Sequence, residues 1–307
     1  MEKLSIVTFI SGSERPNTEL LEMYHRLRKT CGADELLVFS DRKHGITGEN
    51  VREIVSPDTT KFKRIMLSFG AALNEKILYV DNDISPCCGN LEEFIRGFRE
   101  DTDLCFGRIA VKNPDSFTAE LIRTDKKISH EFIRPMLWRL NIGISVPGQV
   151  FMLRREKFMR DMEDSPDTVF DDLALGICAK QNGYRVQISS LVLGYERPSG
   201  NLCGLLRQRI RWAKGYCEQL TVNRKNRQIF PLAVIHGLAY HAMIPVLILV
   251  LMICAGWAEC ITVMLVVCAG VSDFSISRML YAGAYFMIFP FVHLVWFAAL
   301  VRNFLKG

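Results

Sequence analysis

The chain has 307 residues, 49% hydrophobic and 23% charged, with 21 Gly and 11 Pro, a balance that excludes disordered, collagen-like and low-complexity classes. Its formal net charge of +5 is mild and no long Lys/Arg stripe occurs, so nucleic acid is not an expected partner. The 10 cysteines are scattered, with no C-x-x-C and with Cys254, Cys260 and Cys268 in an apolar tail, which reads as reduced thiols of a cytosol-facing protein, not as a disulfide or zinc framework.

Taken in chain order, β-forming apolar runs fall at residues 5–10, 35–39, 51–55 and 76–80, with helical stretches near 18–30 and 62–74. Alternating strands and helices predict an α/β domain with a mainly parallel sheet covered on both faces. Ligands of such sheets bind beyond the carboxyl ends of the strands, where Glu14, Asp41 and Asp81 each come just after an apolar run. The fourth run ends in Asp81-Asn82-Asp83. Residues i and i+2 of a strand share a face, so both carboxylates are expected to converge on one hard divalent cation, Mg²⁺ or Mn²⁺. Such ions complete their shell with water and phosphate, which makes a nucleotide diphosphate the natural third party. The competing reading is a solvated acidic turn.

Further along, Asp171 and Asp172 open a helical stretch that runs to Gly183, a residue suited to a helix stop. As caps they would satisfy free amides and the helix dipole; as a functional pair, one carboxylate would raise its neighbour's pKa and suit it to accept a proton. In the next helical stretch, Leu202, Leu206, Ile210, Ala213, Cys217 and Leu220 predict one apolar stripe, and Gln208, Arg211 and Trp212 share a different face. A guanidinium, an amide and an indole together make a binding edge for a sugar and a diphosphate. A basic helix lying on lipid headgroups explains the same residues.

Residues 230–307 hold only Arg278, Arg302, Lys306, Glu259 and Asp273 as charged groups. Apolar stretches at 231–258, 260–272 and 279–301 predict two or three membrane spans; the last would reach roughly 34 Å as a helix against a hydrocarbon core of about 30 Å. Arg224, Lys225 and Arg227 before the first stretch place the front of the chain on the cytosolic side. The expected organisation is a catalytic domain at 1–200, an interfacial helix region at 201–229 and a transmembrane anchor at 230–307.

The order Asp81-x-Asp83, Asp171-Asp172-x-x-Leu175, then Gln208-x-x-Arg211-Trp212 followed by apolar spans resembles the membrane-bound family 2 glycosyltransferases, the group that includes cellulose, chitin and hyaluronan synthases and ceramide glucosyltransferases. Pro147-Gly148-Gln149-Val150-Phe151 and Gly183-Tyr184-Arg185-Val186 are similar to further segments of that family. The chain departs from it after the first two strands, where it has Ser11-Gly12-Ser13-Glu14 and Ser40-Asp41-Arg42. The resemblance implies a GT-A type, Rossmann-like domain that inverts an anomeric centre while transferring a sugar from a nucleotide diphosphate donor, UDP foremost, to a lipid, lipid-linked or saccharide acceptor. It also implies roles. Asp41 would contact the uridine, Asp81 and Asp83 the nucleotide and metal, and Asp172 would be the base. Gln208, Arg211 and Trp212 would hold donor or acceptor, with Gly148, Gln149 and Asp171 in the acceptor region. Lys61, Lys63 or Arg64 would join Arg211 in stabilising the departing diphosphate. Anionic membrane lipids are an expected partner and oligomerisation is open. The alternatives are a small processive polysaccharide synthase that oligomerises or uses a partner channel, and a non-catalytic membrane scaffold with the same fold.

Overall fold

The computed structural model describes residues 3–12 and 14–305. The first elements form where the apolar patterning places them: β1 (Leu4–Ile10), α1 (Thr18–Cys31), β2 (Ala33–Ser40), β3 (Val51–Val55), α2 (Lys61–Ala71) and β4 (Lys76–Val80). Their ends are set by local chemistry. Asn17 caps α1 by accepting the Glu19 amide, Gly32 stops it with a positive φ of 69°, and Thr60 caps α2 by accepting the Lys63 amide. Next come β5 (Ile84–Pro86), α3 (Cys88–Arg96), β6 (Leu104–Val111), α4 (Phe117–Lys127), a π-helical segment (Ile128–Ile133), α5 (Arg134–Arg139), β7 (Val150–Arg154), α6 (Arg155–Met162), α7 (Asp171–Gln181) and β8 (Val186–Glu196). The chain ends in helices α8 (Leu202–Val222), α9 (Ile229–His241), α10 (Met243–Cys254), α11 (Trp257–Val271) and α12 (Ile276–Phe304).

Eight strands make one sheet in the order β3-β2-β1-β4-β7-β6-β8-β5. The run β3-β2-β1-β4 is parallel throughout, as expected from alternating strands and helices. Beyond β4 the sheet turns antiparallel, at β4–β7 and β7–β6, and again at β5–β8. The strand order reverses at β1, with β2 and β3 on one side and β4 on the other, so a crevice opens beyond the carboxyl ends of β1 and β4. Because β7 runs antiparallel to β4, its amino end, preceded by Gly148 and Gln149, comes to that same crevice. Beneath it the rings of Phe9, Tyr79 and Phe151 pack in series, with centroids 5.9 and 4.6 Å apart, and the Tyr79 hydroxyl lies 2.6 Å from Ser68 Oγ. Buried Leu4, Ile6, Leu20, Met23, Leu36, Leu78 and Met152 belong to the core that joins α1 to the sheet.

The chain divides into two compact units, an α/β unit of Met1–Ala110 with Ser145–Glu196, and a helical unit of Val111–Ile144 with Arg197–Gly307. Residues 111–144 thus leave the sheet to cluster with the C-terminal helices. In the helical unit, Leu121, Ile133, Leu137, Leu205, Tyr285, Phe289 and Val292 share a core.

Two helical details differ from the sequence reading. The stripe on α8 is turned: Leu205, Arg209, Ala213, Tyr216, Cys217 and Leu220 are buried, while Leu202 and Ile210 are exposed. Helix α8 packs against α12, and burying Arg209 becomes tolerable because its guanidinium forms an ion pair with Asp125 of α4. The apolar stretch 231–258 is not one straight helix either, since α9 and α10 meet at a bend of 62°. Pro245 supplies no amide to the His241 carbonyl and its ring crowds that turn. Helix α12 is long and apolar enough to cross a membrane, and the bent α9–α10 pair reaches that length only as one broken span.

Candidate active site

The crevice is built by α2, the β4–β5 turn, the loop before β7 and the start of α7. Asp81, Asn82 and Asp83 lie just past the end of β4, in a turn closed by the Ile84 amide on the Asp81 carbonyl at 3.1 Å. The two acids thus lie in a turn and not in a strand, so strand alternation does not set how their carboxylates are disposed. Asn82 anchors this turn from below. It accepts the Asn17 amide at 2.9 Å and donates to the Arg15 carbonyl at 2.9 Å, while Asn17 Nδ2 donates to the carbonyls of Asn82 and Ile84 at 3.1 and 3.0 Å. Sequence reasoning missed both asparagines; the only signal was an amide-bearing residue between two acids.

Lys61, in the first turn of α2, sits at the centre of the site. Its Nζ donates to Asp81 Oδ2 and to the Gly148 carbonyl, each at 2.7 Å, lies 3.5 Å from Asp171 Oδ2 and sits 5.7 Å from the Phe9 ring centre. Of the three basic residues expected around the diphosphate, Lys61 is the one at this crossing. Lys63 is exposed, and Arg64 is buried. Arg64 donates to the Ile10 carbonyl and Ser11 Oγ at 3.0 Å and forms an ion pair with Asp41, whose other oxygen accepts the Gly12 amide at 2.5 Å. Asp41 is thus held at the end of β2 by the same helix that delivers Lys61.

Gly148 suits a close approach: a Cβ there would lie 3.2 Å from Asp172 Cβ and 3.3 Å from Asp171 Oδ2, tight enough that these neighbours would have to give slightly. The neighbouring Gln149 accepts the Asp81 amide through its carbonyl at 2.9 Å and donates through its side chain to Glu196 at 2.7 Å. Asp171 and Asp172 are the first two residues of α7, whose N-cap is Phe170 without a side-chain capping bond. Asp172 Oδ1 accepts the Leu173 amide at 2.8 Å, and the Asp172 carbonyl accepts the Val146 amide at 3.3 Å. The acids lie in the positive field of the helix start without being its cap.

Negative charge is in excess here. Burial pushes the Asp81 carboxyl up to about 7, with Asp83 and Asp171 adding to the shift and Lys61 opposing it. Burial alone would lower the Lys61 ammonium, but Asp171 and Asp81 outweigh it and hold it protonated. Asp81 Oδ1 is buried without a hydrogen-bond partner, an orphaned acceptor that fits a cation. Among the described residues no three His, Cys, Asp or Glu side chains form a metal cage. A cation here would therefore rest on Asp81 and Asp83 and share the remaining positions with phosphate and water.

Gln208, Arg211 and Trp212 lie together on α8 in the helical unit, with Arg211 exposed and Gln208 and Trp212 partly buried. The Trp212 ring is covered by the Arg209 guanidinium, 4.5 Å from its centre.

Residues 76–300 match the model of the family described as glycosyl transferase family group 2. No curated protein matches the chain by sequence. Among solved structures, a mannosyltransferase from Pyrobaculum calidifontis in complex with GDP-Man and Mn²⁺ superposes with a TM-score of 0.58 at 14% identity, covering 100% of this chain and 88% of that one. Glucosyl-3-phosphoglycerate synthase from Mycobacterium tuberculosis, in complex with phosphoglyceric acid, is similar over 69% of this chain and 78% of its own, with a TM-score of 0.47 and 16% identity.

Proposed function

The chain belongs to glycosyl transferase family group 2 and is a glycosyltransferase with a GT-A type fold, and from that premise we propose that it transfers a sugar from a nucleotide diphosphate, UDP foremost, to a lipid or lipid-linked acceptor at the cytosolic face of a membrane. The observation that carries this reading is the convergence of Asp81, Asp171 and the Gly148 carbonyl on Lys61 beyond the switch point of the sheet. A diphosphate needs cationic partners at that place, and Lys61 is already there. A divalent cation held by Asp81 and Asp83, Mg²⁺ or Mn²⁺, would offset the negative charge that builds on the leaving diphosphate. The similar mannosyltransferase was solved with GDP-Man and Mn²⁺, which accords with this donor class and makes a guanine nucleotide the first competitor to test.

Asp172 takes the proton of the acceptor hydroxyl as its oxygen attacks the anomeric carbon from the face opposite the diphosphate. One C–O bond forms as the bond to the diphosphate breaks, so a single displacement inverts the centre. Lys61 and Arg211 stabilise the diphosphate, Asp41 lines the base, and Gln208 and Trp212 hold the sugars in register. Gly148, Gln149 and Asp171 border the acceptor. We divide the chain into a catalytic domain at 1–200, an interfacial helix region at 201–229 and a membrane anchor at 230–307. Supporting the anchor, α10 buries no side chain and α12 is long and apolar. Arg224, Lys225 and Arg227 favour the cytosolic face. A few spans in one chain cannot shield a polar polymer from lipid, which favours a lipid or lipid-linked acceptor over processive synthesis.

The test is a panel of labelled nucleotide sugars mixed with membranes containing the protein, with Mn²⁺, Mg²⁺ or chelator, the products being separated into lipid extract and polymer. Label entering the lipid fraction only with a divalent cation is the expected result. Label in polymer alone would support the synthase, and none in either fraction from any donor would support the scaffold.

A further inference from the structure

The π-helical segment Ile128–Ile133 interrupts the path from α4 to α5, and the Arg134 amide that closes it donates to the Ser129 carbonyl. Such wide turns are rare and frequently mark functional sites. Here the segment delivers Arg134 inward: the side chain is only 9% exposed, between the buried Ile133 and Leu137. The Tyr240 ring lies over its guanidinium at 5.9 Å, and His236, one helical turn earlier on α9, lies within the field of its charge. Its Nε and Nη1 are nonetheless buried without hydrogen-bond partners, and among the described residues no carboxylate forms an ion pair with it. A guanidinium is always charged, so it cannot escape this position by losing a proton. Arg209 differs in its charge partner: its Nε is also buried without a hydrogen-bond partner, but its guanidinium forms an ion pair with Asp125. A buried cation with open donors calls for an anion, and a phosphate supplies several strong acceptor oxygens.

The surroundings say how that anion arrives. Helix α10, which continues from α9 after the bend, buries none of its side chains and leaves Val246, Leu247, Leu249 and Ile253 more than half exposed. We infer that Arg134 anchors a binding site for the phosphate of a phosphate-bearing lipid, an inference that rests on the membrane reading above and extends it to a recognised headgroup.

The test uses the full chain in uncharged detergent micelles and reads the thermal unfolding midpoint against added phosphatidic acid, inorganic phosphate at constant ionic strength, or diacylglycerol. Phosphatidic acid should raise the midpoint saturably and diacylglycerol should not. Arg134→Lys keeps the charge but loses the planar fork, so about a tenfold weaker response is expected. Arg134→Met should abolish the response and leave the ligand-free protein at least as stable as the native chain, since it removes a buried charge without a partner. An equal, Arg134-dependent response to inorganic phosphate would overturn the lipid source and assign the site to a soluble phosphate compound. No response of the native chain to either phosphate probe, an Arg134→Met protein that responds as the native one does, or one that loses its fold would overturn the site itself. Neither sugar transfer nor membrane insertion enters the readout, so failure of the enzymatic reading and failure of this site are separable.

Discussion

In the α/β unit Asp81 and Asp171 share the single ammonium of Lys61, with the charge of Asp83 close by, whereas in the helical unit Arg209 is matched by Asp125 and Arg134 by no described carboxylate. One unit holds negative charge in excess and the other positive. Internal ion pairs such as Arg209–Asp125 close on themselves and serve structure. At Asp81 and Asp171 one ammonium serves two carboxylates, and at Arg134 no described carboxylate meets the guanidinium; desolvated charge in excess is costly, and a ligand of the opposite sign would offset it.

The largest expected effect tests whether the acidic excess is chemistry or architecture. Asp172→Asn keeps the size and hydrogen-bonding capacity at the α7 start and removes the proton acceptor, so turnover at saturating donor should fall roughly 10²–10⁴-fold with little change in nucleotide binding. Asp171→Asn should cost less. Near-native rates for both variants would return the pair to a structural role, and a greater loss at Asp171 would move the base by one residue.

Next in size is the matched pair of the helical unit. Asp125→Ala strands the Arg209 guanidinium, which also lies over the rings of Trp212 and Phe289, and removes the acceptor of the Tyr285 hydroxyl. A loss of about 3–5 kcal/mol is expected, measured as a lower unfolding midpoint in micelles. Replacing Arg209 and Asp125 together by apolar residues of similar volume should recover most of it. A single Asp125→Ala variant as stable as the native chain would erase the distinction between matched and unmatched arginines.

The cation site should show a smaller but clear dependence. Asp83→Asn should reduce turnover by roughly 10²–10³-fold, the typical worth of one electrostatic partner at a site of developing charge, and chelator should do the same to the native enzyme. Full activity in excess chelator would break the reading.

The mildest prediction concerns pH. Asp81 has a raised pKa of about 7 in the folded protein, so its protonated form is favoured there. The stabilising contribution of that proton is complete below the ordinary carboxylate range and is lost as pH rises through about 7. Cation binding needs the carboxylate and gains over the same window. Apparent affinity for Mn²⁺ with UDP should drop by up to about tenfold per pH unit below 7, with proton release on binding visible by calorimetry in buffers of different ionisation heat. Constant affinity between pH 6 and 8 would contradict it.

Much of the α/β unit was legible because its signals are local. Short β-forming runs mark β1 through β4, and the acids after β2 and β4 stand at the carboxyl ends of those runs, where ligands of parallel sheets bind. Lys61 could be narrowed only to a group with Lys63 and Arg64, since residues this close on one helix differ in the face they turn, and that is chosen by the packing of α2 on the sheet. The rotation of the α8 stripe was illegible for a similar reason. Periodicity treats Arg209 as polar and outward, yet a partner 84 residues earlier turns it inward.

Neighbours a few residues away suffice to specify the acidic motifs, the apolar tail and the strand–helix alternation, so these could be read from the chain before any fold was known. The direction of β7 is a different matter: tertiary packing sets it antiparallel to β4 and so brings Gly148 and Gln149 to Asp81. The same holds for residues 111–144, which join the C-terminal helices, and for the two buried arginines, of which one is answered and the other is not. Those outcomes turn on contacts between distant segments, where the cost of burying a charge or a glycine-sized gap depends on what arrives from elsewhere in the chain.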